Sequence, residues 1–318
     1  MTKPGSAAVD LTTVVGSVTL PSPVLTASGT SGHGAELAPY LDLGSLGAVV
    51  VKSLSVMAWE GNPPLRVHET TGGMINSVGL QGPGVAAWLA HDLPPLLDAG
   101  ARVVASIWGR TVAEYEAAAR LLATAPDGVV AVEVNLSCPN TEAARALFAH
   151  SVEDTRAVME ATAACDRPRW AKLSPNTADL IAIAEAARAG GADAVTLVNT
   201  VLGMAIDPDS GAYRLGSGAR GGGLSGPAIH PIAVRAVHDV HAALPDLPIV
   251  GVGGIVTGAD AAELVLAGAS AVQVGTATFA DPRAPAKVLR ELEGWLARRT
   301  TRSIRGNVGA AHRREPQA

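Results

Sequence analysis

The sequence predicts a closed (β/α)8 TIM barrel with an N-terminal hairpin and loop insertions at the carboxyl ends of the strands. Three observations carry that expectation. Short β-branched runs alternate with Ala-rich stretches, eight strand-then-helix units follow one another, and the first strand is not followed by a Gly-x-Gly-x-x-Gly turn. The residues at that point, Ala27-Ser28-Gly29-Thr30-Ser31-Gly32-His33-Gly34, lack the fingerprint that would favour an open, doubly wound sheet. The chain has 318 residues, of which 48% are hydrophobic and only 3% aromatic, so a large core must be built from Ala, Val, Leu and Ile.

A hairpin over residues 9–20 leads into a first strand at 23–29 and a short helix at 35–43. Residues 48–54, Ala-Val-Val-Val-Lys-Ser-Leu, form an unbroken β-branched run and read as a strand buried on both faces. Residues 56–82 are rich in Pro, Gly and Asn and leave the barrel wall. A helix at 84–99 stops at Gly100. Then come strand 102–108, helix 112–123, strand 129–136, helix 152–164, strand 170–173, helix 178–189 and strand 194–199. Helix 227–242, strand 248–251, helix 259–267, strand 271–275 and helix 285–297 complete the series, with further insertions at 138–150 and 201–226. One domain spans residues 1–318, with about eight N-terminal residues and the basic tail after Arg298 expected to fray.

Composition narrows the function. With 24 Lys+Arg against 29 Asp+Glu and a net charge of -5, neither nucleic acid nor an anionic membrane is expected as the main partner. No apolar run reaches the roughly 20 residues of a membrane span, and no apolar signal core follows Met1, so a cytoplasmic address is expected. Cys138 and Cys165 are too few for a disulfide framework or a four-cysteine metal site, and the histidines lack paired ligand spacing; no metal is expected.

Barrel enzymes place their chemistry where strands end. Those ends here carry Lys52, Ser53, Ser106, Asn135, Cys138, Lys172, Asn199, Thr200, Gly253, Gly254, Gly275 and Thr276. Helix capping accounts for one or two such polar residues, not for two lysines and two asparagines on one rim. The glycines after the last two strands leave backbone N–H groups open to a phosphate, in the usual phosphate pocket of this architecture. Lys52 and Lys172 lie in apolar strands with no acid beside them in sequence; each is either half of an ion pair inside the mouth or a cation kept for an anionic ligand. Cys138 lies on a loop between Ser137 and Pro139, where packing gives little reason for a cysteine, and its thiol is a candidate proton acceptor. Cys165, at a helix end, reads as structural.

Several stretches, in order along the chain, resemble the dihydroorotate dehydrogenases: Val51-Lys52-Ser53-Leu54, Asn76-Ser77-Val78-Gly79-Leu80-Gln81, Glu133-Val134-Asn135-Leu136-Ser137-Cys138-Pro139-Asn140, Lys172-Leu173-Ser174-Pro175-Asn176, Gly222-Gly223-Leu224-Ser225-Gly226-Pro227 and Val252-Gly253-Gly254-Ile255. The cysteine in the Ser-Cys-Pro-Asn loop is similar to class 1 enzymes, and the 203–207 and 222–228 stretches to their B type. That resemblance implies FMN over the barrel mouth, held by Ser28, Lys52, Ser53, Ser106, Asn135, Lys172, Val198, Gly226, Gly253, Gly254, Gly275 and Thr276. It implies dihydroorotate or orotate held by Lys52, Asn76, Ser77, Val78, Gly79, Leu80, Asn135, Asn199 and Thr200, with Cys138 as the base. It also implies a homodimer, or a heterotetramer with a subunit carrying FAD and an iron–sulfur cluster. This chain departs from the family at Ser106, where an Asn is usual, at 141–148, which looks helical rather than Gly-rich, and after Thr300. Two other readings stay open: an FMN-dependent reductase of a related dihydropyrimidine, and a non-catalytic barrel subunit.

Overall fold

The computed structural model describes residues 8–136, 148–215 and 221–313. Eight parallel strands form its centre: β1 (Val24–Thr26), β2 (Val49–Val50), β3 (Val103–Ile107), β4 (Val129–Asn135), β5 (Arg169–Lys172), β6 (Ala194–Leu197), β7 (Ile249–Val252) and β8 (Ala271–Val274). They are hydrogen-bonded in the order β1-β8-β7-β6-β5-β4-β3-β2. The seam between β1 and β2 is closed by bonds that include Gly47 N–H to the Val24 carbonyl at 2.8 Å, Thr26 N–H to the Ala48 carbonyl at 3.3 Å, and Val50 N–H to the Thr26 hydroxyl at 3.0 Å. The expected barrel is the observed one.

Six longer helices cover the outside, and their starts follow from local chemistry. The side chains of Thr111, Ser151, Asp179 and Thr257 each accept from a backbone N–H of the first turn, and Thr257 with Asp260 forms a reciprocal capping box. Outward-facing strand residues such as Val132, Val134, Ala171, Val195, Leu197, Val272 and Val274 pack under these helices in one continuous core.

Inside the barrel, side chains repeat every second residue. The inward positions nearest the amino-terminal end include Ala131, Trp170, Ala194 and Ala271, clustered with Val15, Val18 and Leu20. Those last three belong to the hairpin of Thr13–Val15 and Val18–Leu20, which plugs this end. Two residues further along the same strands stand Glu133, Lys172, Thr196 and Gln273, all buried. At the opposite end the insertions combine. Val67–Thr70, Gly73–Asn76, Gly222–Ser225 and Val201–Gly203 pair as one antiparallel sheet, with Gly223 opposite Asn76.

Four local expectations are corrected. Residues 35–43 are turns followed by a 3-10 turn at Leu43–Ser45, because Pro39 has no N–H to offer the Ala35 carbonyl. The 84–99 helix is broken into Val85–His91 and Leu93–Asp98, where Pro94 and Pro95 cannot donate four residues back. The helix starting at Val152 is α-helical to Ala161 and tightens into a 3-10 turn over Thr162–Cys165. The segment after Arg298 is docked as far as Arg313 rather than frayed. Ile304 is buried, its N–H donates to the Asp10 carbonyl at 2.9 Å, and Asn307 donates to the carbonyls of Thr301 and Ser303, each at 2.8 Å. An apolar anchor and a satisfied amide hold it despite its basic composition.

Candidate active site

The strand ends and the antiparallel sheet enclose an open cleft. The expected residues Ser28, Lys52, Ser53, Asn76, Val78, Gly79, Leu80, Asn135, Lys172, Val198, Asn199, Thr200, Gly226, Gly253, Gly254, Gly275 and Thr276 line it. Ser77 and Ser106 do not. Ser77 is buried behind the sheet, its N–H donating to the Arg66 carbonyl at 2.9 Å. Ser106 is buried one step below the surface of the cleft, its Oγ 2.9 Å from that of Ser53; a side chain this short stops at its neighbour. Cys138 lies outside the described residues, as does most of the 141–148 stretch.

Ser53 organises one wall. Its hydroxyl also lies 3.3 Å from Ser28 Oγ and accepts from Asn135 Nδ2 at 3.2 Å, while the hydroxyl of Tyr115 donates to the Asn135 carbonyl at 2.7 Å. These bonds fix the last residue of β4 and its amide at the cleft. Lys52, at the end of the β2 run, folds its chain over Gly29: a Cβ at that glycine would sit 3.3 Å from Nζ.

The glycines after β7 and β8 form a bare backbone shelf. Gly254 has φ +68, and a Cβ there would meet His230 Cβ at 2.7 Å, so glycine alone fits without displacement. Beneath it, His230 donates from Nδ1 to the Gly253 carbonyl at 2.8 Å, and its Nε2 lies 3.2 Å from Glu263 Oε2. Among the described residues, the backbone N–H groups of Gly254, Gly275 and Thr276 have no protein acceptor. Thr276 instead donates its hydroxyl to Ser225 Oγ at 2.8 Å, tying the shelf to the antiparallel sheet.

On the far wall, Asn199 Oδ1 accepts from the Thr200 N–H at 2.9 Å. Asn176 braces this segment through a bond from Nδ2 to the Thr200 carbonyl and another from Leu202 N–H to Oδ1, each at 2.9 Å. Asn76 spends its amide on the Gly223 carbonyl at 3.2 Å, joining two strands of the sheet above the cleft.

At the bottom lies an ion pair. Lys172 Nζ is 3.8 Å from Glu133 Oε1, and both side chains are almost wholly withdrawn from solvent. Lys172 therefore faces an acid inside the barrel and also lines the cleft. The acid went unassigned because it stands 39 positions earlier on the neighbouring strand. Its signal was one carboxylate within the otherwise apolar run 129–134 of β4. The cleft-lining Val67, Met74, Ile229 and Phe279 were also missed; nothing local marks them, since insertion and barrel meet only in the fold. Among the described residues no cluster of His, Cys, Asp or Glu could hold a metal ion, and no helix is long and apolar enough to cross a membrane.

The sequence matches known proteins along most of its length. The sequence profile of the dihydroorotate dehydrogenase family matches residues 10–296. The chain is 49% identical over 300 residues to the dihydroorotate dehydrogenase B (NAD(+)) catalytic subunit of Desulforudis audaxviator, covering 94% of this chain and 96% of that protein. It is 44% identical over 306 residues to the subunit of the same name in Geobacter sp. strain M21, covering 95% and 98%. A protein of Solibacter usitatus with a provisional dihydroorotate dehydrogenase A (fumarate) name is 45% identical over 300 residues, covering 94% and 97%.

Proposed function

The chain belongs to the dihydroorotate dehydrogenase family, and from that premise we propose that it oxidises (S)-dihydroorotate to orotate for pyrimidine biosynthesis, with FMN as its cofactor. The observation that carries the proposal is the pairing, in one cleft, of a bare glycine shelf with two lysines and a set of short amides and hydroxyls.

The residues present fit FMN. The N–H groups of Gly254, Gly275 and Thr276 suit a phosphate, and the left-handed backbone of Gly254, packed on His230, keeps that shelf to glycine. Lys172, held at the floor, suits the negative edge of a reduced isoalloxazine, and Ser28, Ser53, Asn135, Val198 and Gly226 complete the enclosure. When bound, FMN supplies the two-electron acceptor for the hydride leaving carbon 6 of dihydroorotate.

Lys52, Asn76, Asn135, Asn199 and Thr200 suit the carboxylate and imide of the pyrimidine. Lys52 supplies the cation, and the amides can both donate and accept. Cys138, as thiolate, takes the proton from carbon 5; loss of that proton and of the carbon 6 hydride leaves the double bond of orotate. The rigid wall bonds of Asn135 and of the Asn199–Thr200 segment hold the ring in one pose, where orientation lowers the barrier.

The test is anaerobic mixing of FMN-loaded protein with dihydroorotate, which should bleach the flavin, while dihydrouracil and dihydrothymine should not. Bleaching by the latter pair alone would favour the related dihydropyrimidine reductase. Cys138→Ser should lower the bleaching rate near neutral pH by about 10²–10⁴-fold with FMN still bound; an unchanged rate removes Cys138 from the chemistry. The B-type reading adds a homodimer, or a heterotetramer with an FAD and iron–sulfur subunit. The names of the two B-type relatives support it, and the A-type name gives the contrary outcome: direct turnover with fumarate by this chain alone.

A further inference from the structure

The cleft floor holds a carboxylate that this chemistry leaves unused. Glu133 is fully buried at the inward position between Ala131 and Asn135 on β4. Its Oε2 accepts from Thr196 Oγ1 on β6 at 3.1 Å and from Gln273 Nε2 on β8 at 2.7 Å. Its Oε1 has no hydrogen bond and points toward Lys172 Nζ at 3.8 Å. Burying a charge is costly, and an apolar side chain would fill the position without that cost. Here two further strands each dedicate a donor to holding the carboxylate in place.

The separation sets what the pair does. At 3.8 Å the contact exceeds hydrogen-bond length, so Lys172 spends no donor on Glu133 and keeps them for the cleft. The Coulomb interaction remains, and with both groups shielded from water it is stronger than at a surface. The negative charge lies on the barrel side of the ammonium and offsets part of the positive potential that Lys172 projects upward.

We propose that Glu133 is a positioning residue that sets the reduction potential of the flavin by tempering the field of Lys172 from beneath. The proposal rests on the FMN reading above. Reduction adds negative charge to the ring, so the unopposed cation of an uncharged variant favours the reduced form.

The test is the midpoint potential of bound FMN in the full-length wild-type, Glu133→Gln and Glu133→Asp proteins, with FMN stoichiometry and circular dichroism recorded alongside. Glu133→Gln should raise the reduced-to-oxidised ratio at fixed ambient potential about tenfold, an upward shift of about 30 mV for a two-electron couple. Glu133→Asp keeps the charge and should lie closer to wild type. Should Glu133→Gln fail to load FMN, Glu133→Asp carries the test: its shorter side chain draws the charge back from Lys172 and must raise the potential in the same direction by a smaller amount. Equal potentials in either comparison, or an Asp variant shifted as far as Gln, overturn the proposal while leaving the FMN reading intact. A wild-type protein that takes up no FMN overturns both.

Discussion

The two ends of the barrel interior are made from the same four strands by the same alternation, yet they do opposite work. Toward the amino-terminal end, Ala131, Trp170, Ala194 and Ala271 meet the hairpin residues Val15, Val18 and Leu20 in a sealed apolar floor. One inward step along, Glu133, Lys172, Thr196 and Gln273 form a layer in which every side chain is polar or charged. The lower layer gains from removing apolar area from water. The upper layer is tolerable because Thr196 and Gln273 donate to one oxygen of Glu133 and the Lys172 ammonium faces the other, and because the apolar layer keeps water from reaching them from below. Apolar burial is concentrated in one end and the proposed chemistry in the other.

That division can be probed substitution by substitution. Trp170→Ala, in the floor, should cost about 3–5 kcal/mol of folding stability by urea titration. The surviving folded protein should still bind FMN one-to-one, and a variant of normal stability that cannot bind FMN would show that floor and site are not separable. Gln273→Leu removes one of the two donors to Glu133, leaving its carboxylate under-satisfied, and should cost about 1–3 kcal/mol. A change no larger than that of an exposed substitution would mean that the Gln273 bond does not hold the buried carboxylate. Gly254→Ala places a side chain at φ +68, 2.7 Å from His230 Cβ. The left-handed conformation costs about 1–2 kcal/mol, and FMN affinity, read by fluorescence quenching, should weaken by about tenfold.

A smaller effect concerns pH, outside both layers. Burial holds the His241 ring below its ordinary 6.5, helped by the nearby charges of His312, Arg313 and His238. Burial does the same to His33, followed by the opposing influence of Asp92. Because the native rings are harder to protonate, the unfolded chain binds protons first. Stability should therefore be flat above about pH 6.5 and decline as pH falls below it, until the native rings ionise too. Thermal unfolding between pH 5 and 8 reads this slope, and His241→Asn should make it shallower. An unchanged slope in that variant would place the acid sensitivity elsewhere.

Much of this was visible in one dimension. The runs Val129–Asn135 and Ala271–Val274 announce buried strands by composition, and the glycines after β7 and β8 announce a backbone shelf by position. Of the described residues that the resemblance implied for the site, all but Ser77 and Ser106 line the cleft, and those two stand just behind its surface. The helices misjudged at 35–43 and 84–99 contain prolines whose missing N–H outweighs the surrounding Ala and Leu. The docked tail was missed because its anchor is a single Ile304 among charged residues, and its partner, Asp10, lies at the other end of the chain.

The amino-acid order by itself determined the strands, their inward alternation and the glycines at their ends, because these depend on a residue and its near neighbours along the backbone. It could not determine that Lys172 would face Glu133, that Thr196 and Gln273 would hold that carboxylate, or that the segments around Asn76 and Gly223 would pair above the cleft. Those contacts depend on inter-strand register and on closure of the ring between Val24 and Gly47, which long-range hydrogen bonding sets.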